Sequence, residues 1–176
     1  MRKVLVILST IVAFFIIYFL QTNFFNWFTI AKIQPNLFII LILFCGMFIG
    51  KMQGMILGVV YGLIIDLLLN NTVGITAIML GIIGFATGFI EKNFSTDSRL
   101  NIMLVVIGST FVYELGEYIL KIFMSSIEIN ILAFIKIVLI EMFFNAMITI
   151  IIYPLFQFLG EKSKNSYSNN KVMRYY

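Results

Sequence analysis

Long apolar runs alternate with short polar segments along most of the chain. A helix needs about 20 apolar residues to cross the hydrocarbon core of a bilayer, with ~17 as the lower limit. The apolar stretch 36–69 would form one helix about 51 Å long, too long for a core of ~30 Å. Because Lys51 and Gln53 interrupt this stretch, the pattern predicts two short helices there. The whole chain then has six predicted spans, at about 4–20, 36–50, 54–69, 75–90, 100–124 and 132–153.

The first apolar run follows a basic start, Met-Arg-Lys, which is also typical of a signal peptide. The segment 18–23, Tyr-Phe-Leu-Gln-Thr-Asn, offers no cleavage site made of small residues, so we expect an uncleaved first span. Pro154 closes the last predicted span. We therefore predict a transmembrane domain over 1–160 and a polar cytoplasmic tail over 161–176.

Composition places the chain among integral membrane proteins. Apolar residues make up 61% of its 176 residues, charged residues make up 11%, and the mean hydropathy is +1.06. A soluble domain is nearer half apolar and a quarter charged. The chain has no histidine and one cysteine, Cys45, which excludes intramolecular disulfides, the usual zinc and haem ligand sets and a Cys–His nucleophilic pair. We therefore expect no metal, no cofactor and no catalytic residue.

The basic residues predict the orientation in the membrane. With six spans and a cytoplasmic N-terminus, nine of the twelve Lys and Arg residues fall on the cytoplasmic side: Arg2, Lys3, Lys51, Lys92, Arg99, Lys162, Lys164, Lys171 and Arg174. Lys32, Lys121 and Lys136 fall outside or toward the outer face. This asymmetry follows the positive-inside rule. It predicts a multi-pass protein with both termini in the cytoplasm.

A series of glycines, many of them four residues apart, runs through the middle of the chain. Its members are Gly46, Gly50, Gly54, Gly58 and Gly62 on the second and third predicted spans, and Gly81, Gly84 and Gly88 on the fourth. Glycine is costly inside a helix, but small residues let helix backbones approach closely in lipid. We therefore predict that these eight glycines are helix-packing positions. Gly58→Leu should then be more disruptive than Gly58→Ala.

Six polar residues inside the predicted spans are the candidate functional residues: Asp66, Glu114, Glu117, Lys121, Glu141 and Asn145. Their spacing places Glu114, Glu117 and Lys121 on one helix face, with Glu117 and Lys121 in the favourable order for an i,i+4 ion pair. The helical rise puts Glu114 about 10 Å and Glu141 roughly 13 Å from the outer ends of their spans. The two carboxylates could therefore share a level in the bundle.

Three interpretations of these residues remain open, because ionisable groups inside a span are expensive and commonly functional. They could form a buried polar network that fixes helix packing, contact a transmembrane helix of a partner protein, or line a proton or substrate pathway. For Asp66 a fourth interpretation is an interfacial carboxylate that reaches headgroups or water, since it lies about one turn from the outer end of its span.

A block in the middle of the chain and two residues near its end form a combined pattern. The block contains Pro35-Asn36, the glycines from Gly50 to Gly62 with Leu63 and Asp66, then Asn70, Asn71, Gly74, Ala77, Gly81, Gly84 and Gly88; Asn145 and Pro154 follow in the last span. In this order and spacing they resemble the family of the rod shape-determining protein MreD. The resemblance implies a non-enzymatic scaffold of the bacterial cell-elongation and peptidoglycan-synthesis machinery in the cytoplasmic membrane. It implies MreC, a single-span protein, as a partner, with MreB, RodA and a class B transpeptidase as associated proteins.

The resemblance also implies a fold and an alternative function. Members of that family resemble the six-helix substrate-binding subunits of ECF-type vitamin transporters, so we expect an all-α bundle of six transmembrane helices. The alternative function is that of such a substrate-binding subunit. It predicts a small-molecule cavity near the outer face, lined by Glu114, Glu141 and aromatic residues. A scaffold predicts instead a lipid-facing or partner-facing groove along exposed small or polar residues.

Overall fold

The chain folds as an all-α bundle. The computed structural model describes the backbone of residues 2–69, 72–93, 99–125 and 130–172. Within these ranges six helices follow the predicted order: α1 (Arg2–Phe19), α2 (Leu37–Ile49), α3 (Lys51–Leu69), α4 (Ile75–Asn93), α5 (Arg99–Ser125) and α6 (Ile131–Val172). A π-helical turn, Leu20–Phe24, continues α1. Asn70 and Asn71 of the combined pattern, and the basic residue Arg174, lie outside the described residues.

The helices differ in whether they are long enough to cross a bilayer. Three segments have both the length and the apolar composition: Lys51–Leu69, Arg99–Met124 and Ile131–Pro154. Three other helical segments are apolar but shorter: Leu8–Phe24, Leu37–Ile49 and Ile75–Ile90. These segments and the overall composition identify an all-α membrane protein.

The short helix α2 lies at the centre of the bundle. Eleven consecutive residues, from Leu37 to Met47, are buried, and they cover every face of the helix. A helix that is apolar all round belongs in a core, and α2 packs against α1, α3, α4, α5 and α6. Its 13 residues span only about 20 Å. Since protein rather than lipid surrounds α2, it does not need the length of a spanning helix.

Glycines bring α2, α3 and α4 into backbone contact. A Cβ atom added at any of six glycines would lie less than 3.0 Å from the backbone of a facing helix: Gly46, Gly54, Gly58, Gly62, Gly84 and Gly88. At Gly58 the nearest atoms belong to the main chain of Leu80. At Gly81 the nearest atom belongs instead to the side chain of Val59, at 2.7 Å. These glycines permit the α3–α4 contact, which is the most extensive between any two helices.

Gly50 has a different role from the other seven glycines. It lies at the junction of α2 and α3 with a φ of 118°, and a Cβ there would meet only the side chain of Gln53. This left-handed backbone conformation strains any residue that has a Cβ. Gly50 is therefore a turn residue rather than a residue of the packing stripe. The turn is also tighter than the sequence predicts, because α3 begins directly at Lys51.

The last helix continues beyond Pro154. The sequence predicts that the span ends at this residue, whereas α6 runs on to Val172. Proline inside a helix removes one backbone hydrogen bond and usually kinks or ends the helix. In a membrane bundle, neighbouring helices and local adjustment of the backbone let a helix continue through it. The predicted tail is accordingly helical as far as Val172.

Helix α1 uses one stripe to join the bundle. Phe14 is buried and its ring stacks on Tyr61 of α3, with 4.4 Å between the ring centroids. The ring of Phe14 also contacts Phe38 of α2 at 5.7 Å. The neighbouring Phe15 points away from the bundle, as does Trp27 in the segment after α1. From Leu8 to Phe19 the outward-facing side chains of α1 are therefore mainly apolar and available to lipid or to another helix.

Candidate functional site

Several helix ends meet at one end of the bundle, which we call the loop end. It contains the segment 20–36 between α1 and α2, the turn residues 72–74 before α4, and Asn130 before α6. Tyr118 near the end of α5 accepts a hydrogen bond from the backbone N–H of Asn130 at 3.0 Å. The polar side chains from the predicted spans cluster toward this end.

The start of α2 lies deep below the loop end and is held there by Asn145. The Oδ1 atom of Asn145 accepts a hydrogen bond from the backbone N–H of Asn36 at 2.9 Å. Its Nδ2 atom donates to the hydroxyl of Thr110 on α5 at 3.0 Å. Because Asn145 lies 14 residues after Ile131, the start of α6, this junction is about 21 Å below that helix end. Fully buried Asn145 therefore ties α2, α5 and α6 together.

Gln21 holds the same helix start from the other side. Its Nε2 atom donates to the carbonyl of Pro35 at 2.6 Å, and its Oε1 atom accepts from the N–H of Leu37 at 3.2 Å. The first N–H groups of a helix have no partner within the helix. Gln21 and Asn145 supply the missing acceptors for two of them at α2.

Asp66 performs a similar task for α4. Its Oδ2 atom accepts hydrogen bonds from the N–H of Gly74 at 2.8 Å and from the N–H of Ala77 at 3.3 Å. A carboxylate at a helix N-terminus satisfies unpaired donors and is favoured by the helix dipole. Asp66 is 0% exposed, so it does not reach headgroups or water as an interfacial carboxylate would. Gly74 has a φ of 104°, which suits the sharp turn that brings these N–H groups to Asp66.

A cavity of about 660 Å³ occupies the space between the start of α2 and the loop end. One wall carries Glu114, Glu117 and Lys121 of α5 together with Glu141 of α6. The segment 20–36 forms much of the remaining wall, and Tyr113, Phe38 and Thr76 also line the cavity. The cavity exists because α2 begins so deep that no helix fills the centre of the bundle above it.

Two carboxyl groups in this wall face each other. Glu114 and Glu141 are buried, and their side chains are close enough for a hydrogen bond between them. The Oε1 atom of Glu141 is buried without a hydrogen-bond partner among the described residues, and so is the Oδ1 atom of Asn36. Glu117 forms an ion pair with Lys121, at a more exposed position. The cavity therefore combines buried acceptors with a neutralised ion pair.

The structure distributes the six candidate residues over two sites. Glu114, Glu117, Lys121 and Glu141 line the cavity, and Asn145 lies at its base, in side-chain contact with Glu141. Asp66 instead caps α4. Among the described residues there is no group of three or more His, Cys, Asp or Glu side chains arranged to hold a metal ion.

Sequence reasoning missed Gln21, Thr110 and the role of Asn36. Thr110 could have been found, since it precedes Glu114 by four residues and continues the polar face of α5. Gln21 follows the first apolar run directly, but nothing local indicates that it binds the start of α2. Asn36 bonds to Asn145 across 109 residues of sequence, which no local pattern encodes.

Comparison with known proteins places the chain in a family. The family model described as rod shape-determining protein MreD matches residues 1–162. Neither the curated proteins nor the solved structures include one that matches this chain significantly. The family match extends from α1 to a point within α6 and so covers the bundle, the cavity and both helix caps. The chain therefore belongs to the MreD family of rod shape-determining proteins.

Proposed function

We propose that this chain is a non-enzymatic scaffold of the shape-determining complex, and that it holds MreC by packing against its single membrane-spanning helix. The family match over residues 1–162 is the observation that carries the proposal. MreB, RodA and a class B transpeptidase would be influenced through this contact. The scaffold would lie in the bacterial cytoplasmic membrane with both termini in the cytoplasm, as the basic residues predict.

Lipid-facing apolar side chains, rather than the carboxylates, are the proposed contact. Asp66 and Asn145 already bond to backbone N–H groups of their own chain. Glu114 and Glu141 are buried and face each other. A partner helix would have to open the bundle to reach any of them, whereas packing of apolar and small residues is the usual basis of helix association in lipid.

Cysteine cross-linking in native membranes tests this proposal. Cys45→Ala removes the only cysteine of the chain, and a new cysteine then replaces outward-facing Phe15, Leu104 or Ile151, one on each of three helices. Each variant is paired with single cysteines along the span of MreC and oxidised. The matched control is a cysteine at Phe14, which is 3% exposed, whereas the neighbouring Phe15 is 64% exposed.

We expect cross-links to MreC from at least one outward-facing position and none from Phe14. If MreC co-purifies but no outward-facing position cross-links, the contact is not on the lipid-facing surface. If MreC does not co-purify with the chain at all, the scaffold proposal itself is wrong.

The cavity is the observation that favours the alternative, a substrate-binding subunit of an ECF-type vitamin transporter. Glu114, Glu141, Tyr113 and Phe38 line it, a combination of carboxylates and aromatic rings. Affinity isolation of the chain from native membranes separates the two functions. Recovery of MreC supports the scaffold, and recovery of an ECF energising module supports transport.

A further inference from the structure

We propose that the cavity at the loop end binds a small organic cation, an amine with a compact apolar body. The inference concerns a site inside the bundle and holds whichever protein packs against the outside. It rests on the size of the cavity, on the buried acceptors that lack partners, and on the balance of charge in its walls.

The size suits a small molecule. Ligand pockets in proteins commonly have volumes of about 300–1,000 Å³, and this cavity, which is open to the outside, has a volume of about 660 Å³. Apolar side chains of Phe38, Ile65 and Ile137 form part of its wall beside the polar groups. A bare metal ion would leave most of this space empty.

Two buried acceptor atoms without a hydrogen-bond partner indicate that the ligand carries a hydrogen-bond donor. The Oε1 atom of Glu141 and the Oδ1 atom of Asn36 are both buried acceptors that no described residue satisfies. Burying a polar atom without a hydrogen bond is costly. Both residues line the cavity, and each of the two atoms exposes less than 1 Å² of surface, so a ligand reaches them once the side chain changes rotamer. An ammonium group carries three donors and no acceptor, whereas a carboxylate or phosphate ligand would add only acceptors.

The charged side chains in the cavity wall indicate that the ligand is a cation. Glu114 and Glu141 are buried carboxyl groups in the wall of the cavity, and among the described residues neither forms an ion pair with a basic side chain. The Glu117–Lys121 ion pair contributes no net charge. The other basic side chain at the cavity, Lys32, is exposed. This pair of buried carboxyl groups is therefore the place in the cavity where an ammonium group would find negative charge and acceptors.

Thermal unfolding of the purified full chain tests the proposal, with Cys45 as the reporter. Cys45 is the only cysteine and is buried, so a thiol-reactive fluorogenic maleimide labels it only when the bundle opens. The probe is 2-phenylethylamine at millimolar concentration. Two compounds of similar shape are the controls, neutral 2-phenylethanol and anionic 3-phenylpropanoate. We expect the amine to raise the unfolding temperature by about 2–4 °C relative to both controls.

Two variants with opposite effects separate binding from general stabilisation. Glu141→Gln keeps the shape of the side chain but removes one of the two buried carboxyl groups, and should weaken binding of the amine about tenfold or more. Lys121→Gln leaves Glu117 without its counter-ion, and should strengthen binding of the amine. Glu114→Gln removes the other buried carboxyl group and provides a second measurement if Glu141→Gln does not fold.

The outcomes decide the proposal. An amine-specific shift that falls in Glu141→Gln and rises in Lys121→Gln supports it. If the amine and the alcohol raise the unfolding temperature equally, or the amine does not raise it, the proposal is wrong and the cavity holds only water. A shift from 3-phenylpropanoate alone would overturn the assigned charge of the ligand.

Discussion

Replacing Asp66 should destabilise the bundle before it affects any contact with a partner. The carboxylate is fully buried and accepts hydrogen bonds from two N–H groups at the start of α4. Asp66→Ala removes Oδ2, the atom that accepts both bonds, and leaves the N–H groups of Gly74 and Ala77 without this acceptor. Asp66→Asn retains one side-chain oxygen, so it keeps an acceptor but loses the charge that interacts with the helix dipole.

The structure sets the size of this effect. A hydrogen bond to a charged group contributes about 1.5–3 kcal/mol, and loss of a helix cap costs about 0.5–2 kcal/mol. Since the two bonds share one carboxylate and are not independent, we expect Asp66→Ala to lower the free energy of unfolding by about 2–4 kcal/mol. We expect about 1–2 kcal/mol for Asp66→Asn. For a chain of this length these values correspond to a fall in unfolding temperature of roughly 4–16 °C and 2–8 °C.

The assay compares abundance in membranes with thermal unfolding of the purified chain. If the capping role is right, both quantities should fall in the order parent, Asp66→Asn, Asp66→Ala. Co-purification of MreC, scaled to the amount of folded chain, should stay unchanged. Normal stability of Asp66→Ala combined with lost MreC co-purification would refute this reasoning and make Asp66 a partner contact.

Three further predictions follow from the same contacts. Gly58→Ala should lower the unfolding temperature because its Cβ would meet the backbone of α4, and Gly58→Leu should lower it further. Gly108→Ala should be neutral or slightly stabilising, because nothing lies within 4 Å of a Cβ at that position. Equal unfolding temperatures of the two alanine variants would contradict the packing role of Gly58. Asn145→Leu should lower unfolding temperature and membrane abundance because it leaves the N–H of Asn36 without its acceptor, and an unchanged unfolding temperature would show that this bond is dispensable. A reporter fused after Tyr176 should be active only if it functions in the cytoplasm, so activity of a reporter that works outside would overturn both the six spans and their orientation.

The sequence predicts the features that depend on local periodicity. Apolar runs predict the number and order of the helices, and the i,i+4 spacing predicts the Glu117–Lys121 ion pair. Counting the helical rise places Glu114 and Glu141 at one level, and the structure brings them face to face. Each of these predictions needs only the length, rise and periodicity of individual helices.

The remaining features depend on how helices pack over long distances in sequence. Nothing in the run 36–50 distinguishes a buried central helix from a spanning one, because both are apolar throughout. Asp66 becomes a cap only because Gly74 turns the chain back onto it. The cavity depends on the depth at which α2 begins, and that depth depends on Asn145 at the far end of the chain.

The attachment of α2 has a consequence for the order in which the protein is assembled. This helix is the second to be synthesised, yet the acceptor for the N–H of Asn36 is on the last helix. Until α6 has been inserted, the start of α2 lacks that partner in a medium where unsatisfied backbone groups are expensive. The attachment of α2 is therefore completed last, and a ribosome that stops before Asn145 releases a chain in which the N–H of Asn36 lacks this acceptor.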